Sequence, residues 1–140
     1  MASQTLRPTV LIADDEPSIR QFLEVILSAD FEVSSVPDGR AAADYLKVNT
    51  PDLIILDVNM PHVNGLDLCS KLKRMLRFEH TPIIILTANQ DDRTKDHAKL
   101  SKADVFVTKP LSGKNFLELT RRLVRGEQDK IEELLKQTRF

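Results

Sequence analysis

Short apolar segments alternate along the chain with longer segments in which apolar residues recur every three or four positions. The runs Leu53 to Leu56 and Pro82 to Leu86 are continuous rather than alternating, which is typical of strands buried on both faces of a sheet. Both are too short to be free-standing helices. Thr9 to Ala13, Phe31 to Val36 and Val105 to Thr108 complete five predicted strands.

The segments between these strands predict helices. Pro17 suits the first position of one helix, Asp38 the N-cap of a second, and Ser112 the N-cap of the last. A third helix is predicted to begin at Gly65, and Asp91 to Leu100 should form a fourth with few apolar positions. The predicted apolar faces are Ile19, Phe22, Leu23, Ile26 and Leu27 in the first helix, Leu68, Cys69, Leu72, Met75 and Leu76 in the third, and Phe116, Leu117, Leu119, Leu123 and Val124 in the last.

Five alternations of strand and helix predict an α/β fold, with a parallel sheet, helices on both faces and right-handed crossovers. The length of 140 residues fits one domain. A formal net charge of -1 and 5% aromatic residues argue against nucleic-acid binding. No signal peptide and no run of 18 apolar residues is visible, and the single cysteine, Cys69, fits a reducing compartment and a place in the core. We therefore expect a cytoplasmic protein with no membrane partner.

Polar residues lie where four of the predicted strands end. Asp14 and Asp15 follow the first strand, Asp57 the third, Thr87 the fourth and Lys109 the fifth. The carboxyl ends of parallel strands share one edge of a sheet, where ligands bind. Carboxylates ~4 Å apart repel by roughly 4 kcal/mol per pair at an effective dielectric constant of about 20. A magnesium ion would relieve that repulsion, and a lysine and a hydroxyl suit phosphoryl oxygens.

These residues also form a series of motifs, and the sequence resembles the receiver domain of two-component response regulators from about Thr9 to Val124. The resemblance implies a flavodoxin-like sheet of order 2-1-3-4-5 flanked by five helices. The motifs are Asp14-Asp15, Asp57-x-x-Met60-Pro61-x-x-x-Gly65, Thr87-Ala88 and Lys109-Pro110.

The resemblance implies a role for each residue at that edge. Asp57 would accept a phosphoryl group from a sensor histidine kinase, a phosphotransfer protein or a small donor such as acetyl phosphate. Asp15 would bind Mg²⁺, or Mn²⁺, directly and Asp14 mainly through water, with Asp57 and the backbone carbonyl of Asn59 completing the protein ligands. Such a protein is not a conventional enzyme, although it catalyses its own phosphorylation and dephosphorylation.

The resemblance also implies a switch. Lys109 would pair with the phosphoryl oxygens, Thr87 would donate its hydroxyl to one of them, and Phe106 would turn inward. The affected surface would be helix 4, strand 5 and helix 5, where a downstream protein, a missing output domain or a second copy of the chain could bind. A lysine, Lys102, stands where the family usually has a glycine, so the loop before strand 5 is either left-handed at that residue or shaped differently.

Residues 1–125 are predicted to form the receiver domain and residues 126–140 a helical tail or linker. Leu117, Val124, Ile131 and Thr138 fall seven apart, which weakly resembles a coiled-coil extension, but Gly126 argues against a continuous rod. A short amphipathic helix that packs on its own domain is the alternative.

Several other charged residues have ordinary interpretations. Glu16 is typical of an acidic residue at a helix N-terminus. The basic residues of the third helix and the segment after it are interpreted as a solvated face; they are Lys71, Lys73, Arg74 and Arg77.

Three functional alternatives stay open. The chain is either a stand-alone regulator or the N-terminal part of a longer one. It could instead be a pseudo-receiver that binds partners without phosphorylation. An enzyme of another class, a phosphatase with an aspartyl nucleophile or a flavin or dinucleotide binder, is disfavoured because no glycine-rich phosphate loop follows the first strand.

Overall fold

Five parallel strands form a single sheet in the computed structural model of the chain, which describes residues 7–88, 101–109 and 112–127. The strand order is β2-β1-β3-β4-β5, which confirms the order that the family resemblance implied. The strands are β1 (Thr9–Ala13), β2 (Glu32–Val36), β3 (Leu53–Asp57), β4 (Ile83–Thr87) and β5 (Val105–Thr108).

The described helices cover both faces of this sheet. They are α1 (Pro17–Leu27), α2 (Gly39–Val48), α3 (Gly65–Lys73) and α4 (Gly113–Arg125), with a short 3₁₀ helix at Leu76–Phe78. The helix named α4 is the last of the five predicted from the sequence, called helix 5 above. The helix predicted for Asp91 to Leu100 lies outside the described residues, so four of the five predicted helices can be compared.

Alternate residues of each strand supply two separate cores, because successive side chains point to opposite faces. On one face, Ile12 and Ile55 pack with Leu23 of α1 and Phe116 of α4. On the other face, Leu11 and Ile54 pack with the buried residues of α2 and α3. Residues of β1, β3 and β4 are buried on both faces, which explains why their sequences are apolar without alternation.

The third helix ends earlier than its apolar periodicity predicted. Cys69 and Leu72 are buried as expected, but α3 ends at Lys73, and Met75 and Leu76 are 43% and 87% exposed. The chain turns into the 3₁₀ helix there, and Phe78 reaches the core instead.

One of the two predicted N-cap side chains makes a capping hydrogen bond and the other does not. The side chain of Asp38 accepts a hydrogen bond from Ala41 N at 2.8 Å, which confirms it as a cap. Ser112 occupies the N-cap position of α4, but its side chain makes no capping hydrogen bond.

The interpretation of the basic residues as a solvated face is wrong for Lys73. Its side chain is only 9% exposed, lies 2.8 Å from Asp104 Oδ2, and donates a hydrogen bond to Thr81 O at 2.6 Å. Asp104 also accepts from Ile83 N at 2.7 Å. Lys73 therefore ties α3 to the starts of β4 and β5.

Lys102 and Gly126 both have left-handed backbone. Lys102 has φ 63°, so a lysine adopts the conformation that the glycine of the family would favour, at a cost of roughly 1–2 kcal/mol. Gly126, with φ 73°, ends α4. Its N–H donates to Leu123 O and the N–H of Glu127 donates to Arg122 O, the two hydrogen bonds of a Schellman motif. The tail after Glu127 lies outside the described residues.

Within the part of the chain that the structure describes, no helix is long and apolar enough to cross a membrane.

The close approach of Gly65 to the end of β3 generates a testable prediction. A Cβ at Gly65 would lie 2.0 Å from the backbone oxygen of Asp57, so Gly65→Ala should lower the free energy of unfolding by about 1–3 kcal/mol or more in urea titrations followed by circular dichroism. At Gly113, the nearest atom to a Cβ would be the flexible end of Ile26 at 2.9 Å, with no backbone atom among the close contacts, which makes Gly113→Ala the matched control. Equal effects of the two substitutions would contradict this account of Gly65.

Candidate functional site

The carboxyl edge of the sheet brings together the polar residues that the sequence placed at strand ends. Asp57 and Thr87 end β3 and β4, while Asp14 and Lys109 directly follow β1 and β5. Backbone hydrogen bonds extend the strand pairing to this edge: Lys109 N donates to Thr87 O at 2.8 Å, and Asp14 N donates to Val36 O at 3.2 Å. The sheet therefore fixes where these side chains start.

Lys109 lies at the centre of the site. Its Nζ is 3.0 Å from Asp14 Oδ2, 3.2 Å from Glu16 Oε1 and 3.6 Å from Asp57 Oδ1. Only 11% of its side chain is exposed. One buried ammonium group thus contacts three carboxylates that would otherwise repel one another.

The Asp57 carboxyl group has an altered proton affinity. Burial raises its pKa to about 6, helped by the nearby negative charges of Asp14 and Asp15. Lys109 and a backbone hydrogen bond from Asn59 act in the opposite direction but do not cancel the increase. Near neutral pH, most Asp57 carboxyl groups are ionised.

The pKa of Lys109 is also raised, which for a lysine favours the charged form. Burial alone would lower its pKa, but the contacts with Asp14, Asp57 and Glu16 outweigh burial, so its pKa is raised and the group stays charged.

Asp14 is held from both sides. It is fully buried, its Oδ1 accepts from Glu16 N at 2.9 Å, and its backbone oxygen accepts from Arg20 Nη1 at 2.6 Å. Arg20 was missed in the sequence because its contact crosses one turn of α1 and carries no motif.

The donor set fits a hard divalent cation. Carboxylate oxygens of Asp14, Asp15 and Glu16 lie within 4.8 Å of one another. Asp14 Oδ2 is buried, and apart from its ion pair with Lys109 no described group donates a well-aligned hydrogen bond to it. Carboxylate oxygens with open positions suit Mg²⁺, so the residues present match the ion that the sequence predicted.

Glu16 is the residue whose interpretation the structure changes. The sequence suggested an ordinary acidic residue at a helix N-terminus. Glu16 does occupy the N-cap position of α1, but its side chain makes no capping hydrogen bond and instead contacts Lys109. The only sequence signal was its place directly after Asp14-Asp15.

The remaining predicted residues lie on β4, on β5 and just after β3. Thr87 is fully buried at the end of β4. Phe106 is half-buried on β5, opposite Ile85 in the register, and packs against the core on the α2 and α3 face. Asn59 is exposed, and its backbone N–H faces the Asp57 carboxylate.

The doubly wound parallel sheet thus carries an acidic pocket and a lysine at its carboxyl edge, an arrangement suited to a divalent cation and a phosphoryl group. The sequence profile described as "Response regulator receiver domain" matches residues 10–121. The chain belongs to this family, so the resemblance noted in the sequence is confirmed. Receiver domains are modules of two-component phosphorelay signalling, not conventional enzymes.

Individual relatives agree with this assignment. The chain is 33% identical over 133 residues to the DNA-binding response regulator MtrA of Mycolicibacterium smegmatis, covering 94% of this chain and 57% of that protein. It is 34% identical over 110 residues to histidine kinase P4 of Formosa agariphila, covering 79% of this chain and 8% of that protein. The chain therefore spans just over half of one curated relative and a small part of the other.

Solved structures show the same fold. The signal receiver domain of a histidine kinase from Syntrophus aciditrophicus superposes with a TM-score of 0.81 at 34% identity, covering 85% of this chain and 91% of that one. The chemotaxis response regulator CheY4 of Vibrio cholerae gives a TM-score of 0.77 at 32% identity, covering 85% and 99%.

The raised pKa of Asp57 predicts how stability depends on pH without a metal. The folded state holds its proton up to about pH 6, whereas an unfolded aspartate releases it near 3.8. Protonation of Asp57 therefore favours the folded state, and this contribution is fully present below pH 3.8. It is lost as the pH rises through 6, which lowers the free energy of unfolding by roughly 3 kcal/mol. Asp57→Asn, which cannot ionise, should be more stable than wild type by about 2–3 kcal/mol at pH 8.

Urea unfolding in EDTA from pH 4 to pH 8 measures this difference. The advantage of Asp57→Asn should shrink as the pH falls, while the exposed control Asp44→Asn should show a small difference that does not vary with pH. An Asp57→Asn protein with no added stability at pH 8 would show that the carboxylate is not destabilised by burial.

Proposed function

We propose that Asp57 is the phosphoacceptor of a receiver domain that takes its phosphoryl group from a histidine kinase or a phosphotransfer protein. The observation that carries this proposal is the placement of Asp57. It is a buried carboxylate at the carboxyl edge of the sheet, with a lysine ammonium 3.6 Å away and a second buried aspartate beside it. Membership of the receiver family supports the same assignment.

The proposed reaction transfers a phosphoryl group from the donor to the Asp57 carboxylate. An ionised oxygen of Asp57 forms a new P–O bond, and the P–N bond of phosphohistidine breaks, with its electron pair going to the imidazole nitrogen. With acetyl phosphate, the bond that breaks is the P–O bond to acetate. Because the nucleophile must be ionised, the reaction should slow at acidic pH, where Asp57 takes up a proton.

Two neighbours stabilise the transferred group. Lys109 places its ammonium beside Asp57 and provides positive charge for a phosphoryl oxygen. Thr87, at the end of the adjacent strand β4, supplies a hydroxyl on the same edge. Movement of Thr87 toward the phosphoryl group, with inward rotation of Phe106, would alter the surface of β5 and α4.

Asp14, Asp15 and Asp57, with the backbone carbonyl of Asn59, would hold Mg²⁺ or Mn²⁺. The bound ion would supply positive charge that offsets the repulsion between the carboxylates and an incoming phosphoryl group. The chain's own contribution is to place the carboxylates of Asp14 and Asp15 close to each other before the donor arrives.

The domain boundary and output complete the proposal. Residues 1–125 form the receiver and residues 126–140 lead to an output partner or output domain, in the cytoplasm where a kinase can reach Asp57. A pseudo-receiver that never accepts phosphate is less well supported, because the acidic residues and Lys109 are all present at the site.

Phosphorylation provides the direct prediction. Incubation with acetyl phosphate and Mg²⁺ should add one phosphoryl group to the wild-type protein, detected by intact mass spectrometry, and the adduct should be lost in mild base. Asp57→Asn should remain unmodified, while the exposed variant Asp44→Asn should be modified like wild type. Labelling of Asp57→Asn would disprove the assignment of the phosphoacceptor.

Metal binding provides a separate prediction. Asp15→Asn should weaken Mg²⁺ binding by about tenfold or more, because an anionic ligand becomes neutral. Calorimetric titration suits this protein since the chain has no tryptophan. Asp44→Asn is again the control, and equal Mg²⁺ affinity in Asp15→Asn and wild type would remove Asp15 from the ligand set.

A further inference from the structure

We propose that Glu16 is a positioning residue that forms a hydrogen bond with Lys109 in the resting pocket and disfavours dianionic phosphoryl donors such as acetyl phosphate. This inference rests on the proposed function, since it concerns how donors reach Asp57. It assigns a role to a side chain that the sequence treated as an ordinary acidic residue at a helix terminus.

The backbone of Glu16 is fixed, which aims its side chain. Its N–H donates to Asp14 Oδ1 at 2.9 Å, and its carbonyl oxygen accepts from Ile19 N at 3.1 Å and Arg20 N at 3.2 Å. The carboxylate does not cap α1 and instead accepts a hydrogen bond from Lys109 Nζ at 3.2 Å. The contact joins the start of α1 to the end of β5.

The contact between Glu16 and Lys109 competes with the binding of a phosphoryl oxygen to the same ammonium group. An ammonium group has three N–H donors. In the structure, three carboxylates surround it: Asp14 at 3.0 Å, Glu16 at 3.2 Å and Asp57 at 3.6 Å. Of these three contacts, the one with Glu16 has hydrogen-bond geometry, so a phosphoryl oxygen that approaches Lys109 competes with Glu16 for one of its N–H donors.

Glu16 is the carboxylate that withdraws most easily. Its side chain is 56% exposed, whereas the side chains of Asp14 and Asp57 are 0% and 6% exposed. A swing into water leaves the Glu16 charge solvated, while the same movement is blocked for the two buried aspartates.

Charge acts in the same direction. Asp14, Asp15, Glu16 and Asp57 outnumber the one lysine, so even a divalent cation leaves the pocket negative. Without the charge of Glu16, the metal-loaded pocket would be formally neutral. An acetyl phosphate dianion should therefore be repelled more by Glu16 than a phosphoramidate monoanion.

The test compares rates of phosphorylation with these two donors at low ionic strength. Glu16→Gln should accelerate the reaction with acetyl phosphate about threefold or more and the reaction with phosphoramidate less, and the difference should fade in high salt. Glu16→Asp keeps the charge but shortens the side chain, so it should not accelerate the reaction with acetyl phosphate more than the reaction with phosphoramidate. Glu32→Gln, an exposed change on β2, is the matched control.

A second readout does not depend on phosphorylation. In metal-free protein, the ¹H–¹⁵N signal of the Lys109 ammonium, assigned by its loss in Lys109→Arg, should be visible in wild type because its acceptors slow hydrogen exchange. Glu16→Gln and Glu16→Asp should broaden it, and Glu32→Gln should not.

The outcomes separate the two proposals. An unchanged ammonium signal in Glu16→Gln, or the same acceleration with both donors, would overturn the role of Glu16. If neither the wild-type protein nor the Glu16 variants are labelled at Asp57, the proposed function fails. The ammonium signal still decides whether Glu16 binds Lys109.

Discussion

The burial of like charges around one ammonium group is the constraint on which the site depends. Asp14 and Asp57 are removed from water at adjacent strand ends, where a pair of carboxylates at ~4 Å repels by roughly 4 kcal/mol at an effective dielectric constant of about 20. Lys109 contacts both and reduces this cost. The raised pKa of Asp57 shows that the compensation is incomplete, which leaves the pocket ready to bind positive charge.

The rest of the fold holds these groups in place. Backbone pairing extends to the carboxyl edge, where Lys109 N bonds to Thr87 O. Gly65 allows the start of α3 to lie against the end of β3, and Gly65 N donates to Val58 O at 3.0 Å. Thr87 and Phe106, the residues of the proposed switch, lie on the neighbouring strands β4 and β5.

Local patterns predicted the features that depend on local sequence. The buried strands were predicted because they lack alternation, and the edge residues because strand ends converge in a parallel sheet. The end of α3 was not predicted, since Met75 and Leu76 fit the helical period although the chain has already turned. The partners of Lys73 and Glu16 were missed because each contact depends on how separate segments pack, and a periodicity carries no information on that. Arg20 was missed because its short-range contact with Asp14 O carries no motif.

The most direct test of the account is to locate the phosphoryl group chemically. Borohydride reduces an aspartyl phosphate to homoserine, so protein treated with acetyl phosphate and Mg²⁺, then reduced and digested, should contain homoserine at position 57 in tandem mass spectra. Asp14 and Asp15 should remain aspartate. Homoserine at either of those positions, or none in protein that carries the phosphoryl mass, would contradict the assignment of Asp57 as the nucleophile.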